Sequence, residues 1–234
     1  GTVMLKMDSR GEYEKLSNII KKGRDHKVFE SEDDPKFRHL FTYAMHERSD
    51  LSADKLADAV SQKRVGKLLD LGCGPGSYTA AILKKDKTAT ATLMDRAAAI
   101  KVARKLCKTQ SVYNRLHFVS GDFFDDELGE GYDTVLMSNI IHIYNATENK
   151  NIFEKINKAL KKGGRFVLYD LFLNNSKTGP YDAALFAITM LLYTKTGKSY
   201  AFGEVESLLR NAGFARIKKT KIGDGSSILE AIKI

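Results

Sequence analysis

The sequence predicts an α/β fold: a mainly parallel, seven-stranded sheet with an antiparallel C-terminal strand, preceded by an N-terminal helical extension. Three observations carry that expectation. Between residues 65 and 193, short apolar runs alternate with stretches of helical periodicity, the pattern of parallel strands joined by helical crossovers. The first apolar run, Leu68-Leu69-Asp70-Leu71, ends in Gly72-Cys73-Gly74-Pro75-Gly76, a Gly-x-Gly-x-Gly turn directly ahead of a helical pattern. The chain closes on two runs, 215–222 and 227–234, which flank Gly223-Asp224-Gly225 and read as a hairpin.

Residues 65–71 form the first predicted strand and 77–84 a helix, and 89–94 with 96–108 repeat the unit. Strand three covers 116–120 and strand four 132–137. The next helix, 147–160, is expected to stop at Lys161-Lys162-Gly163-Gly164, a basic last turn followed by glycine. Strand five is 165–169, then 180–193 is a long, nearly all-apolar helix and 202–211 another, ending at Ala212-Gly213-Phe214. Ahead of the first strand, 12–22, 35–47 and 52–62 carry apolar residues at helical spacing. Ser52 with Asp54, and Asp33 ahead of Pro35, supply start signals. Two units result: a helical extension over 1–62, serving as a cap, an oligomer contact or plain packing against the sheet, and a ligand-binding domain over 63–234.

A chain of 234 residues with 43% hydrophobic and 29% charged side chains suits one globular core. No run approaches the roughly 20 apolar residues of a membrane span, and the N-terminus lacks a signal peptide's apolar core, so no membrane partner is expected and the default compartment is cytoplasmic. The two cysteines, Cys73 and Cys107, offer neither a disulfide framework nor metal-ligand spacing. A net charge of +9 raises the question of nucleic acid. The clusters Lys84/Lys85/Lys87, Lys101/Arg104/Lys105/Lys108 and Lys158/Lys161/Lys162 fall at ends or outer faces of predicted helices, however, without interleaved aromatics. A solvated surface is favoured over nucleic-acid binding.

The glycine turn lies where an α/β sheet binds ligands, beyond a strand's C-terminal end. Its third spacing position holds Ser77 where a dinucleotide fingerprint needs glycine, and the acid Asp70 would repel a phosphate. Asp70 suits the turn itself or an ammonium group, which points to a cationic, phosphate-free ligand. Asp95 ends the second strand, where an acid can accept ribose hydroxyls, and Asp122 follows the third in Gly121-Asp122-Phe123-Phe124. The plainer alternatives are a helix cap for Asp95 and a turn acid for Asp122.

Residues 68–78 resemble the first motif of the Rossmann-like methyltransferases that use S-adenosylmethionine. That resemblance implies the cofactor S-adenosylmethionine, with S-adenosylhomocysteine as product. It implies a turn of Gly72, Gly74 and Gly76 beside Asp70, ribose on Asp95, adenine between Asp122 and Phe123, and Ser138 beside the amino-acid tail. From about residue 28 the chain is similar to the small-molecule O-methyltransferases of the caffeate, hydroxyneurosporene and polyketide type. The matching blocks include Asn139-Ile140-Ile141-His142, Lys162-Gly163-Gly164-Arg165, Gly197-Lys198 and Ser226-Ser227-Ile228-Leu229-Glu230-Ala231. The resemblance implies an aromatic or polyketide-like acceptor, with His142 as general base and Asp170 behind it. Imidazole has a pKa suited to taking a hydroxyl proton near neutrality. A helix-capping or core histidine is the alternative for His142; His26, His39, His46 and His117 have no such support. The family's helical lead-in, whose Phe and Met side chains line the acceptor pocket, falls on Phe29 to Asp34 with Phe41 and Met45, and Met190 and Thr194 are further candidate acceptor contacts.

Two departures accompany the resemblance. Ile143-Tyr144 stands where the family has Asp-Trp, and the second acid bracketing the base falls at Ser199. Methylation at carbon or nitrogen, a protein or RNA acceptor, and a degenerate cofactor-binding domain therefore stay open. The family's N-terminal winged-helix dimerisation domain is expected to be absent from this length of chain, with a homodimer or a partner domain in a longer polypeptide left open.

Overall fold

In chain order the elements are α1 (Leu16–Lys22), α2 (Pro35–Ser49), α3 (Ala53–Val60), β1 (Lys67–Leu71), α4 (Ser77–Lys85), β2 (Thr90–Asp95), α5 (Ala97–Cys107), β3 (Leu116–Ser120), β4 (Tyr132–Ser138), α6 (Ala146–Ala159), β5 (Leu160–Leu171), α7 (Tyr181–Tyr193), α8 (Phe202–Asn211), β6 (Phe214–Lys221) and β7 (Ser226–Lys233). Single 3-10 turns lie at Tyr113–Arg115 and Ile141–Ile143. The structure is a computed structural model and describes residues 13–23, 34–223 and 225–234. The readings made at Glu12, His26, Phe29 to Asp33 and Asp224 lie outside the described residues.

The seven strands form one sheet in the order β3-β2-β1-β4-β5-β7-β6. β7 runs antiparallel to both its neighbours, and every other pairing is parallel, as expected. Period-two alternation sends successive side chains to opposite faces. Leu68, Leu93, Leu136 and Val167 pack with α3, α4 and α5 on one face. Leu69, Leu71, Val135, Met137 and Phe166 pack with α6 and α8 on the other. Because the strand order reverses between β1 and β4, the crevice beyond their C-terminal ends is a topological switch point, the place where such sheets bind ligands.

One expectation is corrected. α6 does not run into Lys161-Lys162-Gly163-Gly164: it ends at Ala159, Leu160 is already extended and pairs with Tyr132, and Gly163 (φ +77°) sits inside β5 where the β4–β5 register shifts. A glycine after lysines suits a strand bulge as well as a helix end, so the pattern alone did not separate them. The cap of α2 is Asp34, whose carboxylate accepts from the Lys36 and Phe37 amides. Ser52 starts α3 as expected, its hydroxyl meeting the Tyr78 phenol at 3.1 Å rather than an amide of its own helix.

The helical extension is fastened to the sheet. Leu56, Ala57 and Val60 of α3 are fully buried in the core beneath β1. The buried Arg165 guanidinium on β5 donates to the carbonyls of Val60 (2.8 Å) and Lys63 (3.2 Å) and pairs with Glu230 on β7 (3.0 Å). No helix of the described residues is long and apolar enough to cross a membrane.

Candidate functional site

The C-terminal ends of β1, β2, β4 and β5 deliver Asp70, Asp95, Ser138 and Asp170 to one edge of the sheet, with Asp122 just beyond β3. Between β1 and α4 the glycine turn is tied down by its own backbone, since the Gly72 and Cys73 amides donate to the Met94 carbonyl at 2.9 and 3.2 Å. Gly72, Gly74 and Gly76 all have positive φ. At Gly74 a Cβ would meet nothing within 4 Å, so this residue presents bare backbone to open space, as close approach of a ligand requires. Its amide donates to Asp95 Oδ2 at 2.8 Å, and the Arg96 amide donates to Asp95 Oδ1 at 2.7 Å. Burial raises the Asp95 carboxyl pKa, and these two amides oppose that shift. Each oxygen keeps a lone pair for a hydroxyl donor.

Asp122 spans a turn and an ion pair. Its Oδ1 accepts from the Phe124 amide (2.9 Å) and its Oδ2 from Arg96 (3.2 Å). Phe123 is buried, packed against Phe124 and edge-on to Tyr144. Ser138 is buried at the end of β4.

Asp70 is 1% exposed, with Oδ2 accepting from the Thr79 hydroxyl at 2.6 Å and Oδ1 without a partner among the described residues. Burial pushes its carboxyl up to about 7; Thr79 opposes this and the Asp95 charge adds to it. An acid titrating higher in the folded than in the unfolded chain keeps its proton in the folded state across the window from about pH 4 to pH 7. Stability therefore falls as pH rises through that window and levels off above it. Asp70→Asn is expected to remove this slope. Relative to wild type, its unfolding free energy should rise by up to about 4 kcal/mol between about pH 4 and pH 8. Urea unfolding at both pH values checks it, and a wild-type-minus-variant difference independent of pH would contradict it.

On the β4–β5 side, His142 rides on the 3-10 turn Ile141–Ile143 and is 8% exposed. Its Nδ1 lies 2.8 and 3.0 Å from the two carboxylate oxygens of Asp170, which is itself fully buried and accepts from the Leu171 amide. Nδ1–H donating to the carboxylate leaves the Nε2 lone pair as the basic position. The ring packs edge-on against Phe186 of α7 at 4.8 Å. The two residues paired from sequence, His142 and Asp170, thus meet directly. Met190 and Thr194 are buried at the C-terminal end of the same helix, with the Thr194 hydroxyl donating to the Met190 carbonyl at 2.6 Å.

Phe41 and Met45 are half-buried on α2, Phe41 stacked on Phe37. That helix reaches the glycine turn through His46, whose Nδ1 is 2.7 Å from the Ser77 hydroxyl. Among the described residues no hydrogen bond or ring contact joins Phe41 to the His142 pair. Sequence reasoning did not single out Phe186. Phe186 lies one turn before Met190 on the same helix face, so extending that stripe backwards finds it.

Residues 13–215 match the model of the O-methyltransferase domain family. The 3-hydroxy-5-methyl-1-naphthoate 3-O-methyltransferase of Streptomyces sahachiroi is 29% identical over 199 residues, covering 84% of this chain and 56% of that protein. The L-tyrosine C(3)-methyltransferase of Streptomyces lavendulae is 27% identical over 202 residues, 85% of this chain and 54% of that protein. This chain spans about half the length of these curated relatives. Human N-acetylserotonin methyltransferase, solved with S-adenosylmethionine, shares the fold at a TM-score of 0.85 and 21% identity, over 95% of this chain and 66% of that one.

Proposed function

From the premise that this chain belongs to the O-methyltransferase domain family, we propose that it transfers a methyl group from S-adenosylmethionine to a hydroxyl of a small aromatic or polyketide-like acceptor. The observation that carries this reading is the His142–Asp170 pair at the ligand-binding edge of the sheet, with Nδ1 engaged and Nε2 free of the carboxylate. The cofactor fits the residues present. Gly74 offers an open cradle that a side chain would fill, Asp95 has lone pairs for ribose hydroxyls, and Asp70 Oδ1, unpartnered among the described residues, adds an acceptor where a phosphate would find no donor. Asp95 would hold the ribose, Asp122 and Phe123 the adenine, and Ser138 with the glycine turn the amino-acid tail. When bound, the cofactor supplies an electrophilic methyl on a sulfonium.

The protein's own residues supply the rest. An acceptor hydroxyl must lose its proton as its oxygen attacks. His142 Nε2 takes that proton, while Asp170 holds the tautomer and stabilises the imidazolium. Phe186, edge-on to the His142 ring, is an apolar wall that helps exclude water from the reacting atoms. The tyrosine C(3)-methyltransferase relative supports a second reading, because removing a phenol's proton activates the ortho carbon along with the oxygen.

Asp95→Ala is expected to weaken S-adenosylmethionine binding about 10- to 100-fold, since a carboxylate serving two hydroxyls is worth about 1.5–3 kcal/mol. Calorimetric titration with S-adenosylmethionine and S-adenosylhomocysteine, with NAD as control, measures it. Binding of NAD in place of the first two would overturn the cofactor assignment.

A further inference from the structure

We propose that Asn149 and Tyr200 are positioning residues for His142, holding both ends of the one-turn helix that carries it so that the imidazole keeps one tautomer and one orientation. The proposal rests on the reading of His142 as the base. Asn149, on α6, is fully buried, and its Nδ2 lies 2.9 Å from the Ile141 carbonyl and 3.1 Å from the Tyr144 carbonyl, at either end of the turn. The same Nδ2 meets the Tyr200 phenol oxygen at 3.1 Å, and that phenol donates to the Tyr144 carbonyl at 2.8 Å. Burial pushes the Tyr200 phenol up to about 12, so it stays a donor at any ordinary pH.

The amide is oriented at a penalty. Its Oδ1 is buried with no partner among the described residues, a condition that destabilises a fold and calls for a reason. Flipping the amide would set that oxygen against two carbonyl oxygens, so the observed orientation is the one the turn dictates. Leucine at this place would remove the unpartnered oxygen and release the turn. What the asparagine adds in return for the unpartnered oxygen is the hold on Ile141 and Tyr144.

From the other side the connection between α7 and α8 presses on the same turn. A Cβ at Gly197 would stand 2.1 Å from the His142 carbonyl oxygen and 2.6 Å from that of Ile143, so only glycine fits there. Glu148 Oε2 ties the connection to α6, accepting from the Thr196 hydroxyl and the Asn145 amide, both at 2.7 Å. The arrangement answers a deficit at the ring. Among the described residues Asp170 is the only carboxylate hydrogen-bonded to His142, and Ser199, at the place of the expected second acid, is buried with its hydroxyl unpartnered. One carboxylate fixes one ring nitrogen; the carbonyl clamp fixes the backbone from which the ring projects.

The test is the long-range nitrogen–proton spectrum of His142 in the S-adenosylhomocysteine complex of wild type, Tyr200→Phe and Asn149→Leu, together with steady-state turnover of a hydroxynaphthoate. Wild type should show one tautomer, protonated on Nδ1. Each variant should show averaged ring-nitrogen shifts and a kcat lowered about 10-fold or more, with acceptor KM and S-adenosylhomocysteine affinity within about twofold. Tyr200→Phe keeps the buried ring, so it decides the matter if Asn149→Leu does not fold. A folded Tyr200→Phe with an unchanged tautomer and unchanged kcat overturns the proposal. If His142→Gln retains full turnover, the base reading fails separately, whereas the spectra still report whether the clamp orders the ring.

Discussion

His142→Gln is expected to lower kcat by about 10³-fold while leaving S-adenosylmethionine affinity within about twofold. Glutamine preserves a polar side chain of similar reach and can still meet Asp170, but it has no basic nitrogen at neutral pH. The acceptor proton then leaves without help, and the whole loss falls on the chemical step. Asp95 and Asp122, the residues proposed to hold the cofactor, stand on the opposite side of the switch point, at the end of β2 and just beyond β3, and neither is hydrogen-bonded to His142 among the described residues. A variant that loses cofactor binding in proportion to turnover would contradict this division of roles. Turnover and calorimetric titration on the same preparation separate the two outcomes.

Arg165→Ala is expected to lower unfolding free energy by about 3 kcal/mol or more, the magnitude for removing one partner of a buried ion pair. The guanidinium is 6% exposed and is used on every side: Nε donates to the Thr134 hydroxyl, one terminal nitrogen to Glu230, the other to carbonyls between α3 and β1. Burial pushes the Glu230 carboxyl up, and Lys63 and Arg165 more than offset that, holding it below the usual carboxylate range. Without Arg165 only Lys63 among the described residues is left to Glu230, and the carbonyls of Val60 and Lys63 lose the guanidinium donor. The extension should loosen first, so hydrogen exchange in α3 should rise more than in β4. A loss below about 1 kcal/mol by urea unfolding would show that water replaces these bonds without penalty.

The sheet was legible because its signals are local. Apolar runs of strand length, the glycine turn after Leu71 and an acid at the end of each of the next two strands follow from backbone geometry that a few neighbouring residues determine. The His142–Asp170 pair was reached through resemblance, since 28 residues separate its members and only the adjacency of β4 and β5 brings them together. The clamp left no trace at that level. Asn149 sits at a core-facing position of an amphipathic helix, where the pattern reads as an interruption, and Tyr200 follows the Gly197-Lys198 block without belonging to it. What makes them matter is a pair of carbonyls in a different segment, which periodicity does not encode. The misplaced end of α6 has the same origin: Lys161-Lys162-Gly163-Gly164 satisfies the rules for a helix stop, and pairing of Leu160 with Tyr132 overrides them.

Methyl transfer itself tests the central claim most directly. The protein, incubated with S-adenosylmethionine labelled with carbon-13 on the methyl group and with a 3-hydroxynaphthoate, should give a product whose labelled carbon is bonded to oxygen, and His142→Gln should form it at about a thousandth of the rate. A labelled methyl on ring carbon, or an equal rate from the variant, would contradict the account.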